Sequence, residues 1–172
     1  MNKPKAALVY VDFDDTLYCH EFHWSYGEDF TYNMMYGFKK CTYDPKYLNH
    51  ELINKLRQII ELNKQNGLTT IVSLLTGCRT SVYYKSKVDL LEQNVPGLFD
   101  NYFSVASQEE KLPMILAYND ELKKDYDIVD TLIIDDGYNV TCACQDAGFE
   151  AVTPGFFEKH YEANYTQCLW YK

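Results

Sequence analysis

The chain reads as an α/β protein, a Rossmann-like doubly wound parallel sheet carrying a small aromatic insert after its first strand. Short apolar runs alternate with amphipathic stretches, which is the pattern of βαβ units and right-handed crossovers. Polar, chemistry-bearing residues follow those runs directly. With 172 residues, 47% of them hydrophobic and 24% charged, the sequence suffices for a single domain over its whole length, 1–172.

Five runs read as buried strands: 6–11, 68–75, 102–106, 129–134 and 149–152. β-Branched and aromatic residues fill segments too short for helices, and continuous apolarity is expected of strands covered on both faces. Leu48, Leu52, Leu56, Ile59 and Ile60 form a stripe at helical spacing, with a stop at Asn66-Gly67. Further helices are expected over 79–93, 109–124 and 139–147. In the second of these Pro113 must fall in the first turn, where its missing N–H costs little.

The formal charge of −9 repels polyanions and anionic membrane surfaces, which disfavours nucleic acid as a partner. The basic start ends its apolar run at Asp12 and is not a signal peptide, and no stretch has the length of a membrane span. A soluble, cytoplasmic protein without membrane association is expected. Its six cysteines then read as reduced thiols, with Cys142 and Cys144 turned into the core from one helix face.

In an open parallel sheet, ligands gather at the carboxyl ends of the strands. The residues there are Asp12-Phe13-Asp14-Asp15-Thr16-Leu17 after the first strand, Thr76-Gly77-Cys78-Arg79 after the second, and Asp135-Asp136-Gly137 after the fourth; Lys111 precedes the third helix's apolar stripe. Taken singly, Thr76 is a helix cap, Lys111 a solvated helix residue and Asp135-Asp136-Gly137 a turn. Together they are the set that phosphoryl transfer through a carboxylate nucleophile requires. Asp12 can attack phosphorus once a divalent cation offsets its repulsion from the phosphate. Mg²⁺ suits the task because it takes hard oxygen ligands and needs few from the protein, here Asp12 and Asp136. Asp14, on the same side of an extended strand end, can protonate the leaving oxygen and then take a proton from water. Thr76 and the Gly77 N–H offer donors to the phosphoryl oxygens. Lys111 offsets the carboxylates.

Val9-Tyr-Val-Asp12-Phe-Asp14-Asp-Thr16-Leu17 resembles the first motif of the haloacid dehalogenase-like hydrolases, Thr76 the second, Lys111 with Pro113 the third, and Asp135-Asp136 the fourth. The resemblance spans residues 6 to about 152 and points to the phosphatase branch with a minimal cap. It implies Asp12 as nucleophile, Asp14 as general acid/base with its backbone carbonyl on Mg²⁺, Thr76 and Lys111 on the phosphoryl group, and Asp136 as metal ligand supported by Asp135. By the same resemblance, an Asp at position 14 goes with phosphatases or phosphotransferases rather than dehalogenating members. Many members carry a further Asp four residues after the metal-binding one. That position is Val140 here, with Asn139 before it.

Arg79 could grip a second anionic group of the substrate. Caps in this family fall after the first or second motif. One helix and one strand fill 77–110, so the cap candidate is the aromatic segment 18–47. Phe30, Tyr32, Met34, Tyr36 and Phe38 alternate as in a β-hairpin strand, either a flap over the site or a hairpin packed on the domain or on a partner subunit in a dimer. Cys19, His20, His23 and Cys41 have poor spacing for zinc, and His23 with Trp24 could instead touch substrate. The expected substrate is a small phosphomonoester, nucleotide-like. The alternatives are an inactive scaffold that binds through the aromatic insert, or a phosphatase of phosphoprotein or nucleic-acid ends.

Overall fold

The computed structural model describes residues 3–19, 43–78 and 80–161. Five strands, β1 (Lys5–Val11), β2 (Thr69–Gly77), β3 (Asn101–Val105), β4 (Asp127–Ile134) and β5 (Glu150–Val152), form one all-parallel sheet in the order β3-β2-β1-β4-β5. Between and after them lie α1 (His50–Gln65), α2 (Ser81–Asn94), α3 (Lys111–Leu122), α4 (Tyr138–Asp146) and α5 (Pro154–His160).

Alternation along β1 explains the two-sided covering. Ala7, Val9 and Val11 pack with Leu52 and Leu56 of α1, Leu90 and Leu91 of α2, and Phe157 of α5. Ala6, Leu8 and Tyr10 face the other way, toward Ile115 of α3 and Val140 and Cys144 of α4. β1 is thus buried on both faces apart from Lys5, as the unbroken apolar run requires.

The chain steps outward from β1 to β2 and β3, then crosses back to β4 and out to β5. The direction reverses between β1 and β4. Their carboxyl ends therefore border the crevice in which open α/β sheets bind ligands. The Asp12 N–H donates to the Ile134 carbonyl at 2.9 Å and ties the two ends together.

Several elements differ in detail from the sequence reading. β2 runs on to Gly77 because Thr76 and Gly77 still pair with Ser104 and Val105 of β3. The α3 region begins with a 3-10 turn, Gln108–Glu110, and Pro113 sits in the first turn of the helix that follows. α5 was not expected from the sequence. Thr153 caps it by accepting from the Phe156 N–H at 3.3 Å, and Pro154 opens it.

The expectation that Cys142 and Cys144 share one face is corrected: Cys144 is buried and Cys142 half-buried. Residues two apart on a helix lie far round its axis from each other. Burial, with Asp135 nearby, pushes the Cys144 thiol up to about 11, so it behaves as a small core hydrophobe. No helix among the described residues is long and apolar enough to cross a membrane.

Candidate functional site

β1 ends at Val11, and the next residues make a compact loop rather than more strand. The Leu17 and Tyr18 N–H groups both donate to the Phe13 carbonyl, at 3.0 and 2.9 Å, while the Asp15 N–H donates to the Tyr18 carbonyl at 2.9 Å. Asp15 takes the left-handed conformation that closes the turn, φ 54°, which Asp tolerates better than most residues. The expectation of an extended strand end through Asp14 is therefore corrected: the chain turns at Phe13, and Asp14 remains a charge neighbour of Asp12. The turn separates their surroundings: the Asp12 side chain is 3% exposed and that of Asp14 is 42% exposed.

Asp12 sits in a buried ionic cluster. Lys111, the first residue of α3, is fully buried and places Nζ 2.9 Å from Asp12 Oδ1 and 2.7 Å from Asp135 Oδ2. The contact to Asp135 is a well-formed hydrogen bond. Asp12 Oδ1 has the ammonium as its ion-pair partner, and no other donor among the described residues reaches it.

Burial pushes the Asp12 carboxyl up to about 7. The Lys111 charge pulls the other way and is itself opposed by Asp135 and Asp14. For Lys111, burial disfavours the ammonium, but Asp12 and Asp135 together outweigh it and hold its pKa above the ordinary value.

Asp135 is anchored at both oxygens. Oδ2 accepts from Lys111, and Oδ1 accepts from the Gly137 N–H at 2.8 Å. The approach at Gly137 is close, since a Cβ there would stand 2.9 Å from Asp135 Oδ1. Asp136, by contrast, is exposed and carries a raised pKa, from partial burial of its carboxyl and then the charges of Asp135 and Asp15. Carboxylate oxygens of Asp12, Asp135 and Asp136 lie within 4.8 Å of one another. A buried carboxylate oxygen lacking a hydrogen bond, beside two further carboxylates, fits a hard divalent cation. Val140, four residues beyond Asp136, is buried in the core and offers no ligand.

The second half of the cluster is one that motif spacing did not reveal. Lys87, on α2, is 2% exposed and donates to Thr76 Oγ at 2.8 Å and to Asp14 Oδ2. The Gly77 carbonyl lies at 3.5 Å, and the ammonium stands 5.0 Å from the centre of the Phe13 ring. The available signal was its phase: Lys87 falls three and four residues before the buried Leu90 and Leu91. A lysine on the core-facing stripe of a helix needs a partner inside.

The arrangement thus brings Asp12, Asp14, Thr76, Gly77, Lys111 and Asp135 with Asp136 to the carboxyl ends of β1, β2 and β4. Arg79, His20, His23, Trp24 and Cys41 lie outside the described residues. So does the hairpin expected over 30–38.

The two ends of the 18–47 segment are described, and they meet. The Cys19 N–H donates to the Tyr47 carbonyl at 2.9 Å, and the Asn49 N–H to the Leu17 carbonyl at 2.8 Å. Tyr18 stacks on Phe13 at 5.5 Å, with Tyr43 edge-on to both rings at 5.1 and 5.0 Å. These aromatics belong to the core beneath the site.

No family model matches the chain, and no curated protein matches it.

Proposed function

We propose that the protein is a Mg²⁺-dependent phosphatase of the haloacid dehalogenase type, hydrolysing a small, nucleotide-like phosphomonoester through a phospho-aspartate. The observation that carries this reading is Asp12: a buried carboxylate at the carboxyl end of the central strand, at the reversal of strand order, ion-paired to the buried Lys111 and grouped with the carboxylates of Asp135 and Asp136.

In the proposed mechanism an Asp12 oxygen attacks phosphorus as the bond to the leaving oxygen breaks, and Asp14 delivers a proton to that oxygen. Water then attacks the phospho-aspartate and gives its proton to Asp14, releasing phosphate and regenerating the Asp12 carboxylate and the protonated Asp14 that began the cycle. Lys111 keeps Asp12 oriented and offsets its charge. Thr76 Oγ and the Gly77 N–H are the neutral donors for phosphoryl oxygens. Asp12, Asp136 and the Asp14 backbone carbonyl would hold Mg²⁺, with Asp135 supporting, and the cation would screen the repulsion between nucleophile and phosphate.

The test is phosphate release from a generic aryl phosphate, followed by a panel of metabolite phosphates, with Mg²⁺ and with excess chelator. Release that requires Mg²⁺ supports the reading, as does a sharply raised Mg²⁺ requirement in Asp136→Asn. Full activity in chelator removes the metal assignment, and no release from any ester leaves a binding protein on this fold.

A further inference from the structure

Two buried ammonium groups serve this cluster, and their partners divide it. Lys111 is shared between two buried carboxylates, Asp12 and Asp135, so its charge is already committed. Among the described residues Lys87 has one carboxylate partner, the half-exposed Asp14, together with the neutral Thr76 hydroxyl. An ammonium has three N–H donors. Among the described residues the third has only the Gly77 carbonyl, at 3.5 Å, the outer limit of a hydrogen bond.

A buried lysine is costly unless it is paired, and the Phe13 ring face offsets only part of that cost. Lys87, within hydrogen-bond reach of Thr76, therefore has one weak contact, to the Gly77 carbonyl, that it can exchange for a strong acceptor. It is also shielded from water, where a charge-assisted bond counts for most.

We propose that Lys87 is a second oxyanion-binding cation of this site, gripping the phosphoryl group alongside Thr76 while Lys111 serves the nucleophile. The inference rests on the phosphatase reading and goes beyond it, because it assigns phosphoryl recognition to a helix α2 lysine. When the dianion enters, Lys87 moves its strongest hydrogen bond toward a phosphoryl oxygen. That loosens its hold on Asp14, which needs freedom to exchange protons with the leaving group and water.

Binding of inorganic phosphate to the Mg²⁺-loaded protein, measured by calorimetry, tests this in wild type, Lys87→Met and Lys87→Arg. The expected result is a dissociation constant raised about tenfold or more in Lys87→Met, largely recovered in Lys87→Arg, with KM for an aryl phosphate rising in parallel. A purely structural lysine would lower the melting temperature but leave phosphate affinity of the folded protein unchanged, and that result overturns the proposal. Should Lys87→Met not fold, a crystal structure of wild type with Mg²⁺ and tungstate decides. An oxyanion oxygen within hydrogen-bond distance of Lys87 Nζ supports the proposal, and an oxyanion bound without that contact overturns it. Wild type that hydrolyses the ester while failing either test removes Lys87 alone; wild type that hydrolyses no ester removes the phosphatase reading with it.

Discussion

Asp12 and Asp135 leave adjacent strands of the sheet and share one ammonium, Lys111 Nζ, at 2.9 and 2.7 Å. Two carboxylates are thereby held together in the interior at the point where strand order reverses, and the cation that makes this tolerable comes from a helix that begins there.

Removing that cation exposes the cost. Lys111→Met leaves two neighbouring buried carboxylates uncompensated, and breaking a buried pair in this way typically costs about 3–5 kcal/mol. Denaturant unfolding should show a loss of that order, with Asp12→Asn in the same chain recovering part of it. The two substitutions are coupled through one contact and should be clearly non-additive. Additive losses would mean that Lys111 acts elsewhere.

Asp12 itself should be a liability to the metal-free fold. Its folded pKa of about 7 lies above the ordinary 3.8, so between those values the folded state keeps a proton that the unfolded state has released. Stability therefore falls as pH rises through that window and levels off above about 7. Asp12→Asn mimics the protonated form. At pH 8 in chelator it should raise the melting temperature by several degrees, the shift expected of roughly 1 kcal/mol or more in a domain of this size. The gain should shrink as pH falls toward 4, and turnover should be abolished at every pH. Thermal scans across pH check the sign.

Gly137 tests the anchoring of Asp135. With a Cβ placed 2.9 Å from Asp135 Oδ1, Gly137→Ala must displace a carboxylate that Lys111 holds from the other side. Weaker Mg²⁺ binding and a loss of about 1–3 kcal/mol of stability are expected, the cost of disturbing a buried hydrogen-bonded charge. Mg²⁺ titration and thermal unfolding measure the two effects.

Asp14→Asn removes proton transfer and leaves the nucleophile. Its rate loss, typically about 10²–10⁴-fold for a general acid/base, should be greatest for alkyl or ribosyl esters and smallest for an activated aryl phosphate. Steady-state rates on the two ester classes measure the contrast. Equal losses on both would mean that Asp14 does not transfer the proton.

The sheet was legible because β1, β2 and β4 carry unbroken apolar runs, and the stripe from Leu48 to Ile60 marked α1 at helical spacing. The site's location followed from those strands, since Asp12, Thr76 and Asp135 lie at their carboxyl ends. α5 was missed because Pro154-Gly155 reads as a loop when its Thr153 cap is overlooked. Asp14 does not follow from strand alternation, since hydrogen bonds to the Phe13 carbonyl fold the chain into a turn before it. Lys87 was invisible to motif spacing because its burial depends on Asp14 and Thr76, at the ends of two other segments of chain. Its phase with Leu90 and Leu91 marks it as core-facing, but which groups it meets there follows only from tertiary contact.

The central claim is that Asp12 becomes phosphorylated. Borohydride reduces an aspartyl phosphate to homoserine, so protein quenched during turnover of an aryl phosphate with Mg²⁺, then reduced and mapped by peptide mass spectrometry, reports the attacked residue. The account predicts homoserine at position 12, absent in chelator and absent from Asp12→Asn. Reduction at Asp14, Asp15 or Asp136, or turnover with no reduced aspartate at all, would contradict it.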